Sequence, residues 1–391
     1  MTRLRPFALI ALPLLLLPLF APPGLAPSAR AAEMATPARA AIVKDMRSGA
    51  ILLEKNADEP LPPASMSKLM TLLVVFEWLE NGRLRLDDTF RTSEYAASLG
   101  GSKMFIRAGE EVSVEDLLRG VVVQSGNDSA VALAEAIAGT EEAFATLMNR
   151  RVEELGIENA HFSNATGWPH PDHVMSVRAL MEVGERIVLD HPDIYPMFAE
   201  EVFTWDGIEQ RNRNPMLGRV EGADGLKTGH TQEAGYGLVA SAIRDGRRVM
   251  LVVTGLESVG QRRQETERLM NWAFRAFDTE VLQAAGEPVV EAETWVGATD
   301  RVPLAPVEDV ILTVPIGTLD DTELTAVYDG PLPAPIQAGD VVGQLEIAVP
   351  GLPVRRVDLA ATTDVAPGGF LVRVEAAARL LWRRGLALAG L

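Results

Sequence analysis

One apolar run constrains the fold of this chain more than any other feature of its sequence. From Ser65 to Leu79 the residues are apolar on nearly every side of a helix, and Asn81-Gly82 follows as a helix stop signal. A helix without a polar face has to be surrounded by the rest of its domain. The sequence therefore predicts a central helix whose first turn contains Ser65.

The segments around this helix predict strands at both ends of a domain and further helices in its middle. The predicted strands are Ala41–Asp45, Ile51–Lys55, Tyr236–Ile243 and Val249–Thr254. The other predicted helices are one opened by the capping pair Ser113 and Asp116, then Ser129–Ala138, Glu141–Leu155 and Arg262–Phe277. We therefore expect an α+β domain over residues 32–280, in which an antiparallel sheet carries helices on its faces.

Beyond about residue 280, short β-rich segments alternate with turns that contain glycine and proline. The odd-numbered positions of Val341–Val349 are mostly apolar, and this period of two is typical of a half-buried strand. Further strands are predicted at Val310–Val314, Leu324–Tyr328 and Val354–Leu359. We expect a small all-β domain over residues 281–365.

The N-terminal segment has the features of a secretory signal peptide. Arg3 and Arg5 precede an apolar run over residues 7–20, and Ala29 and Ala31 are the small residues that a signal peptidase reads. We expect cleavage after Ala31, so that residues 1–31 are removed from an exported protein. An uncleaved membrane helix is the alternative.

The C-terminal segment has an amphipathic helical pattern. Its apolar residues are Phe370, Leu371, Val374, Ala378, Leu381, Trp382 and Leu388. Its arginines are Arg373, Arg379, Arg383 and Arg384. We expect residues 366–391 to form a helix that holds the protein on an anionic membrane surface, with residues 370–391 in contact with it. A helix docked on the all-β domain is the alternative.

Charge and composition exclude several classes of function. The formal net charge of −18 repels phosphate backbones, so we expect no nucleic-acid partner. The absence of cysteine excludes disulfides, thiol catalysis and cysteine-ligated zinc. None of the five histidines takes part in an H-E-x-x-H motif.

Three short motifs carry the candidate chemistry. Ser65 and Lys68 share one face of a helix, and a lysine can act as the base for a serine nucleophile if burial or another cation lowers its pKa. Ser125-Gly126-Asn127 forms a compact polar tip between two helices. Lys227-Thr228-Gly229-His230-Thr231, ahead of the strand predicted at Tyr236, suits the recognition of an anion. Each motif alone also fits a helix cap or a polar turn.

Together, the order and spacing of these motifs are the signature of the penicillin-recognising serine acyltransferases. The chain resembles the low-molecular-mass D-alanyl-D-alanine carboxypeptidases of the penicillin-binding protein 5 type, peptidase family S11, over essentially its whole mature length. The resemblance rests on residues 63–71, 101–105, 124–128, 212–214 and 224–231. It implies a penicillin-binding/β-lactamase-like transpeptidase domain, an all-β domain and a terminal amphipathic helix.

The resemblance also implies catalytic roles for four residues. Ser65 is expected to form the acyl-enzyme, and neutral Lys68 is expected to act as its general base. Lys227 is expected to lower the pKa of Lys68 by like-charge repulsion, and Ser125 to relay a proton to the leaving amine.

The substrate-binding residues implied by the resemblance surround these four. Asn127 is expected to hydrogen-bond the substrate's side-chain amide, and the N–H groups of Ser65 and His230 to form an oxyanion hole. Thr228 and Arg213 are expected to hold the terminal carboxylate, beside Gly229.

The implied activity is the removal of terminal D-alanine from peptidoglycan pentapeptide stems, outside the cytoplasmic membrane or in a periplasm. It requires no metal or cofactor, and β-lactam antibiotics are the expected inhibitors. A β-lactamase, a DD-endopeptidase and an inactive peptidoglycan-binding protein remain as alternatives. The Ser125-Gly126-Asn127 motif and the all-β domain argue against the first, and the intact motif residues argue against the last.

One loop departs from the family pattern. Family members often carry an acid at the position of His170, which lies within the segment Gly167–His173. A polar lid loop over the site is expected here. A metal site formed by His170, Asp172 and His173 is the alternative.

Overall fold

The computed structural model describes residues 34–376 and residue 378. The predicted signal peptide, residues 1–31, lies outside the described residues, and so does most of the predicted terminal helix, including Leu381 and Trp382. Within the described part of the chain, no helix is both long enough and apolar enough to cross a membrane.

The central helix has the position that its apolar sequence predicts. The α-helices are α1 (Lys68–Glu80), α2 (Glu94–Ser98), α3 (Val114–Val122), α4 (Asn127–Ala138), α5 (Glu141–Leu155), α6 (Val177–Asp190) and α7 (Val259–Arg275). Every residue of α1 from Lys68 to Phe76 is buried. The predicted first turn is a 3₁₀ turn, Ala64–Ser67, so the α-helix itself begins at Lys68.

Side-chain caps fix the starts of several helices. Ser113 accepts a hydrogen bond from the Asp116 amide at 3.1 Å, as the capping pair predicts for α3. Ser258 caps α7 by accepting from the Gln261 amide at 3.0 Å. This cap starts α7 earlier than the prediction at Arg262, and α7 ends before Phe277, which belongs to a strand.

The first sheet is antiparallel and confirms the predicted α+β architecture. Its strands are β1 (Ala40–Asp45), β2 (Ile51–Lys55), β3 (Ala223–Thr231), β4 (Gly235–Arg244) and β5 (Arg247–Leu256), in the order β2-β1-β5-β4-β3. Alternate residues of β5 point to opposite faces. Val252 packs in the cluster that contains α1 and α6, whereas Leu251 packs with Leu269 of α7.

The segment Lys227–Thr231 belongs to a strand that the sequence patterns missed. It is the end of β3, an edge strand that pairs with β4 from Gly225 opposite Ser241 to Thr231 opposite Gly235. Glycines at positions 225 and 229 interrupt the apolar pattern of this strand, so its sequence does not have the usual composition of a strand.

Three short pairs of antiparallel strands lie outside this sheet. They are Thr89–Arg91 with Glu111–Ser113, Ala160–His161 with Val174–Met175, and Val202–Trp205 with Ile208–Arg211.

The second unit is all-β, as predicted. Its strands are β6 (Phe277–Gln283), β7 (Val290–Trp295), β8 (Arg301–Pro306), β9 (Val310–Pro315), β10 (Glu323–Tyr328), β11 (Leu332–Pro333), β12 (Val341–Ala348) and β13 (Arg355–Ala361). Six of them form a sheet in the order β10-β12-β13-β8-β7-β11, and β6 pairs with β9. The sequence patterns missed β6, β7, β8 and β11. Leu345 and Ile347 are buried as the alternation predicts, but Val341 is 57% exposed.

A buried carboxylate joins the two units. Asp45, at the end of β1, accepts hydrogen bonds from Arg247 Nε at 2.6 Å and from Thr279 Oγ1 at 3.1 Å. Ser48 Oγ lies 2.6 Å from Thr313 Oγ1 of β9. Burial alone would raise the pKa of Asp45, but the hydrogen bonds from Arg247 and the Ser48 backbone outweigh it and hold that pKa below its usual value. The charged carboxylate therefore fixes the second unit against β1 and β5.

The chain turns helical again at its C-terminal end. Residues 370–376 are helical, but the predicted start at residue 366 is wrong, because Pro367 pairs with Gly297 in a β-bridge and the helix begins only at Phe370. Phe370 and Leu371 are each 79% exposed.

Candidate active site

The turn that carries Ser65 packs directly on the first sheet. A Cβ at Gly229 of β3 would lie 2.9 Å from both the Pro63 carbonyl oxygen and Met66 Cγ. A Cβ at Gly237, which is opposite Gly229 on β4, would lie 2.6 Å from Met66 Cε. These two glycines let the 3₁₀ turn sit on the sheet, and this contact brings Ser65 beside β3.

Lys68 is fully buried one turn after Ser65. Its Nζ lies 3.0 Å from Ser65 Oγ, 2.7 Å from Asn127 Oδ1 and 2.6 Å from the Thr166 carbonyl oxygen. The predicted serine–lysine contact is therefore present, within the range of a nucleophile and its base.

Burial lowers the pKa of Lys68 to about 7, and the nearby Arg213 guanidinium adds to this shift. Glu141 and Asp128 act in the opposite direction but do not cancel it. A substantial fraction of Lys68 is thus a neutral amine near pH 7. Arg213 is thus one cation that acts on Lys68, and Lys227, which the sequence reasoning names, is another whose charge interacts with that of Lys68.

Lys227 and Ser125 form a second buried lysine–serine pair. Lys227 Nζ donates to Ser125 Oγ at 2.8 Å and to the Thr228 carbonyl oxygen at 3.1 Å. Burial lowers the pKa of Lys227 well below its usual value, and repulsion from Lys68 and Arg213 lowers it further. The two buried lysines therefore repel each other, and this repulsion disfavours the charged form of both.

Asn127 connects Lys68 to the segment Gly100–Ser102, across the cleft that contains Ser65 and Lys68. Its Nδ2 donates to the Gly100 carbonyl oxygen at 2.8 Å, and its backbone N–H donates to the Ser102 carbonyl oxygen at 2.8 Å. The contact with Gly100 turns Oδ1 towards Lys68 Nζ.

The residues predicted to bind a carboxylate lie around the end of β3. Thr228 is only 6% exposed, and the His230 ring stacks on Tyr236 with ring centroids 3.8 Å apart. Arg213 Nη1 donates to Ser102 Oγ across the cleft. Asn214 holds the segment that carries Arg213, because its Nδ2 donates to the Gly225 carbonyl oxygen of β3 at 2.8 Å.

The histidines of the loop 161–173 bind its own backbone. His170 Nδ1 accepts from the Asp172 amide at 3.1 Å, and His173 Nδ1 accepts from the Ser163 amide at 3.2 Å. Burial lowers the pKa of His173 to about 4, so this ring is neutral near pH 7. In residues 34–376, no group of three or more histidine, aspartate or glutamate side chains is arranged to hold a metal ion.

The same loop reaches across the cleft through Trp168. This side chain is 52% exposed, and a Cβ at Gly101 would lie 3.2 Å from Trp168 Cζ3. The loop therefore contacts the segment that binds Asn127.

Sequence reasoning missed two groups that organise the site. The Thr166 carbonyl is a partner of Lys68, and a backbone carbonyl has no residue-type signature. The buried Asp128 carboxylate accepts hydrogen bonds from the amides of Met104, Phe105 and Ile106. The position of Asp128, directly after the polar motif, was the available signal for its role.

Two family models match the chain. The model described as D-alanyl-D-alanine carboxypeptidase matches residues 27–258, and the model described as penicillin-binding protein 5, C-terminal domain, matches residues 277–367. The two matches correspond to the α+β unit and the all-β unit of the structure.

Relatives and solved structures agree with these matches. The D-alanyl-D-alanine carboxypeptidase DacC of Escherichia coli is 36% identical over 91% of this chain and 91% of its own length. The crystal structure of penicillin-binding protein 5 from Haemophilus influenzae has a TM-score of 0.78 and 35% identity, covering 84% of this chain and 97% of that chain. Penicillin-binding protein D2 from Listeria monocytogenes, in its ampicillin-bound form, has a TM-score of 0.56 and 32% identity, covering 61% of this chain and 97% of that chain.

These matches cover both units and most of the chain, and the polar cleft lies in the unit that the first family model matches. The chain therefore belongs to the D-alanyl-D-alanine carboxypeptidase family, peptidase family S11, with the C-terminal domain of the penicillin-binding protein 5 type.

Proposed function

We propose that this protein is a serine-type D-Ala-D-Ala carboxypeptidase that removes the terminal D-alanine from peptidoglycan pentapeptide stems through an acyl-enzyme at Ser65. The observation that carries the proposal is the contact of 3.0 Å between Ser65 Oγ and the fully buried Lys68 Nζ, whose pKa of about 7 makes it a base at neutral pH.

In the proposed acylation step, Ser65 Oγ attacks the carbonyl carbon of the D-Ala–D-Ala peptide bond. Lys68 takes the hydroxyl proton, and the backbone N–H groups of Ser65 and His230 bind the oxyanion. Ser125, which is hydrogen-bonded to Lys227, relays to the leaving amine the proton that Lys68 took from Ser65, so that Lys68 and Ser125 both return to their neutral forms and free D-alanine departs. Water then hydrolyses the ester and restores the Ser65 hydroxyl.

Charge gives the site its preference for a free C-terminus. Arg213 offers a planar guanidinium fork to the terminal carboxylate, and the Thr228 hydroxyl, beside Gly229, adds a hydrogen bond. The carboxamide of Asn127 hydrogen-bonds the side-chain amide of the stem peptide. A DD-endopeptidase uses the same acyl-transfer chemistry on a cross-linked peptide, so the carboxylate contact is the feature that favours a carboxypeptidase.

We also propose that β-lactam antibiotics acylate Ser65. The related D2 protein of Listeria monocytogenes is known in an ampicillin-bound form. A β-lactam presents a reactive carbonyl and a carboxylate, so the same nucleophile and the same cationic groups suit it. Peptidoglycan stems and β-lactams are thus the proposed partners.

The first prediction concerns the nucleophile. We expect Ser65→Ala to lose the release of D-alanine from a pentapeptide precursor and covalent labelling by a tagged penicillin, because among the described residues Ser65 supplies the hydroxyl that contacts the Lys68 amine. Peptide mapping of the labelled wild-type protein should find the adduct on Ser65. Labelling that persists in Ser65→Ala at an unchanged rate would contradict the assignment.

The second prediction concerns pH. Lys68 has to be neutral to accept the Ser65 proton, and its pKa is about 7, so kcat/KM should rise as the pH increases through about 7 and level off above it. If Lys68 were exposed, the rise of kcat/KM with pH would instead be centred near pH 10.4. Lys68→Arg should abolish acylation, because a guanidinium keeps its proton at every working pH.

Lys55 provides a matched control for this substitution. Its Nζ donates to the Ala38 carbonyl oxygen at 2.7 Å, and the residue lies on β2, at the edge of the sheet opposite β3. Lys55→Arg should therefore retain both the rate and the pH profile. A wild-type profile that stays flat across the neutral range would mean that Lys68 is not the base.

The third prediction separates carboxylate binding from support of the fold. Loss of a charge-assisted hydrogen bond costs roughly 1.5–3 kcal/mol, so Arg213→Ala should lower kcat/KM on a peptide with a free C-terminus by about one to two decades. A C-terminally amidated peptide lacks this interaction already and should respond little. Equal losses on the two peptides would assign Arg213 a structural role.

We propose that the chain is exported and works at a membrane surface. We also propose that it consists of the four segments expected from the sequence. Residues 1–31 are removed, residues 32–280 and 281–365 form the two units, and residues 366–391 anchor the protein peripherally. The exposed Phe370 and Leu371 support a helix that uses its apolar side chains outside the protein.

The fourth prediction tests the anchor. Deletion of residues 370–391 should leave kcat/KM on small peptides nearly unchanged and abolish binding to anionic vesicles. For the intact protein, binding should weaken with salt, since each arginine near the surface contributes roughly 1 kcal/mol. Leu371→Glu should reduce vesicle binding and leave Tm unchanged. A lower Tm with unchanged vesicle binding would identify a helix docked on the all-β unit.

A further inference from the structure

Lys68 has three partners, and they differ in what they can do chemically. Asn127 Oδ1 and the Thr166 carbonyl oxygen only accept hydrogen bonds, whereas the Ser65 hydroxyl can also donate. A neutral amine has two N–H bonds and one lone pair. If the two oxygens take the two N–H bonds, the lone pair is left facing the Ser65 hydroxyl, as a base requires.

The two acceptors are held in place differently. Asn127 is fixed by its own amide, because Nδ2 donates to Gly100 and Oδ1 is thereby directed to Lys68. The Thr166 oxygen belongs to the backbone, so its direction depends on the turn formed by residues 164–168.

Asn164 builds that turn with a single side chain. Its Oδ1 accepts from the Gly167 amide at 2.8 Å, from the Trp168 amide at 3.1 Å, and from the amide and hydroxyl of Thr166 at 3.1 and 3.0 Å. Its Nδ2 donates to the Trp168 carbonyl oxygen at 3.0 Å. The turn therefore closes around one carboxamide.

Neighbouring groups anchor the turn against the helices. Ala165 donates its amide to Glu141 Oε1 at 2.9 Å and accepts from Thr71 Oγ1 of α1 at 2.7 Å. Gly167 has φ of +76°, and a Cβ there would overlap the Ala64 carbonyl oxygen next to Ser65. The turn is thus pressed against the residue that precedes the nucleophile.

We propose that Asn164 is a positioning residue of the acylation step: it holds the Thr166 carbonyl against the Lys68 amine, and this contact directs the lone pair of the amine to Ser65. The inference rests on the proposed function, since it assigns Lys68 the role of base. Asn164 touches neither Lys68 nor Ser65 in its hydrogen bonds, so it acts through Thr166.

Two substitutions at position 164 should have opposite signatures. Asn164→Ala removes the acceptor of the turn, and a misdirected base of this kind lowers kcat/KM by roughly ten- to hundred-fold. The loss of a carbonyl that stabilises the ammonium form should also move the acid limb of the pH profile to lower pH. Asn164→Asp keeps the oxygen that accepts from residues 166–168, loses the Nδ2 donor to the Trp168 carbonyl and adds a negative charge, so its plateau should fall less than that of Asn164→Ala. Its acid limb should move to higher pH.

The other charged groups around Lys68 stay the same in both variants. Those that interact with its charge are Arg213, Lys227, His173, Glu141 and Asp128. The difference between the variants therefore reports on residue 164 alone.

Asn149→Ala is the matched control. Asn149, on α5, also braces this loop through its carboxamide: Nδ2 donates to the Phe162 carbonyl oxygen and Oδ1 accepts from the Phe162 amide, both at 2.8 Å. It makes no hydrogen bond to residues 164–168 or to Lys68. Its loss should loosen the loop without moving the pH limb.

The experiment measures D-alanine release from a small D-Ala-D-Ala peptide and the rate of labelling by a tagged penicillin, from about pH 5.5 to about pH 9.5, with Tm for each full-length variant. An inactive wild type would refute the proposed function itself. If the wild type is active, the positioning role is overturned when kcat/KM of Asn164→Ala stays within two-fold of wild type and the acid limb of its pH profile does not move. It is also overturned when Asn149→Ala lowers kcat/KM and moves the limb as much as Asn164→Ala does. If Asn164→Ala does not fold, Asn164→Asp decides: an unmoved limb contradicts the proposal.

Discussion

The structure depends on the burial of the Lys68 ammonium group at the start of a helix that has no polar face. Because α1 is enclosed on every side from Lys68 to Phe76, the amine has no access to bulk water. An isolated charge in such a place is costly, and the group responds by losing its proton more easily. The apolar run that dictates the fold therefore also supplies the amine that we propose as the base.

A neutral amine in a dry site still needs hydrogen-bond partners, and the rest of the cleft supplies them from distant parts of the chain. Asn127 comes from the start of α4, and the Thr166 carbonyl comes from a turn that Asn164 closes. Lys227 reaches Ser125 from the edge strand β3. The glycine at position 229 lets β3 approach the turn of Ser65 closely enough for these groups to share one cleft.

The types and the order of the residues predicted which side chains meet in the site. The fold could be predicted from the sequence where the apolar periodicity is strong. The helix α1, the strands β1 and β2 and the motif residues were accessible in this way. The strand β3 was not, because its glycines serve close packing and give no strand pattern. The Thr166 carbonyl and the effect of Arg213 on Lys68 arise from contacts across roughly a hundred residues or more of sequence, which no local pattern encodes. Likewise, nothing in the sequence around Asp45 indicates that its partners include Thr279 of the second unit.

The sheet order separates the chemistry from the attachment of the second unit. The motif strand β3 is one edge of the sheet, whereas the buried carboxylate of Asp45 and the hydroxyl of Ser48 lie at the hairpin of β1 and β2, at the opposite edge. Two strands, β4 and β5, lie between them, and each is paired along most of its length. The antiparallel sheet thus lies between the contacts that attach the all-β unit and the residues of the cleft, so these contacts involve none of Ser65, Lys68 and β3.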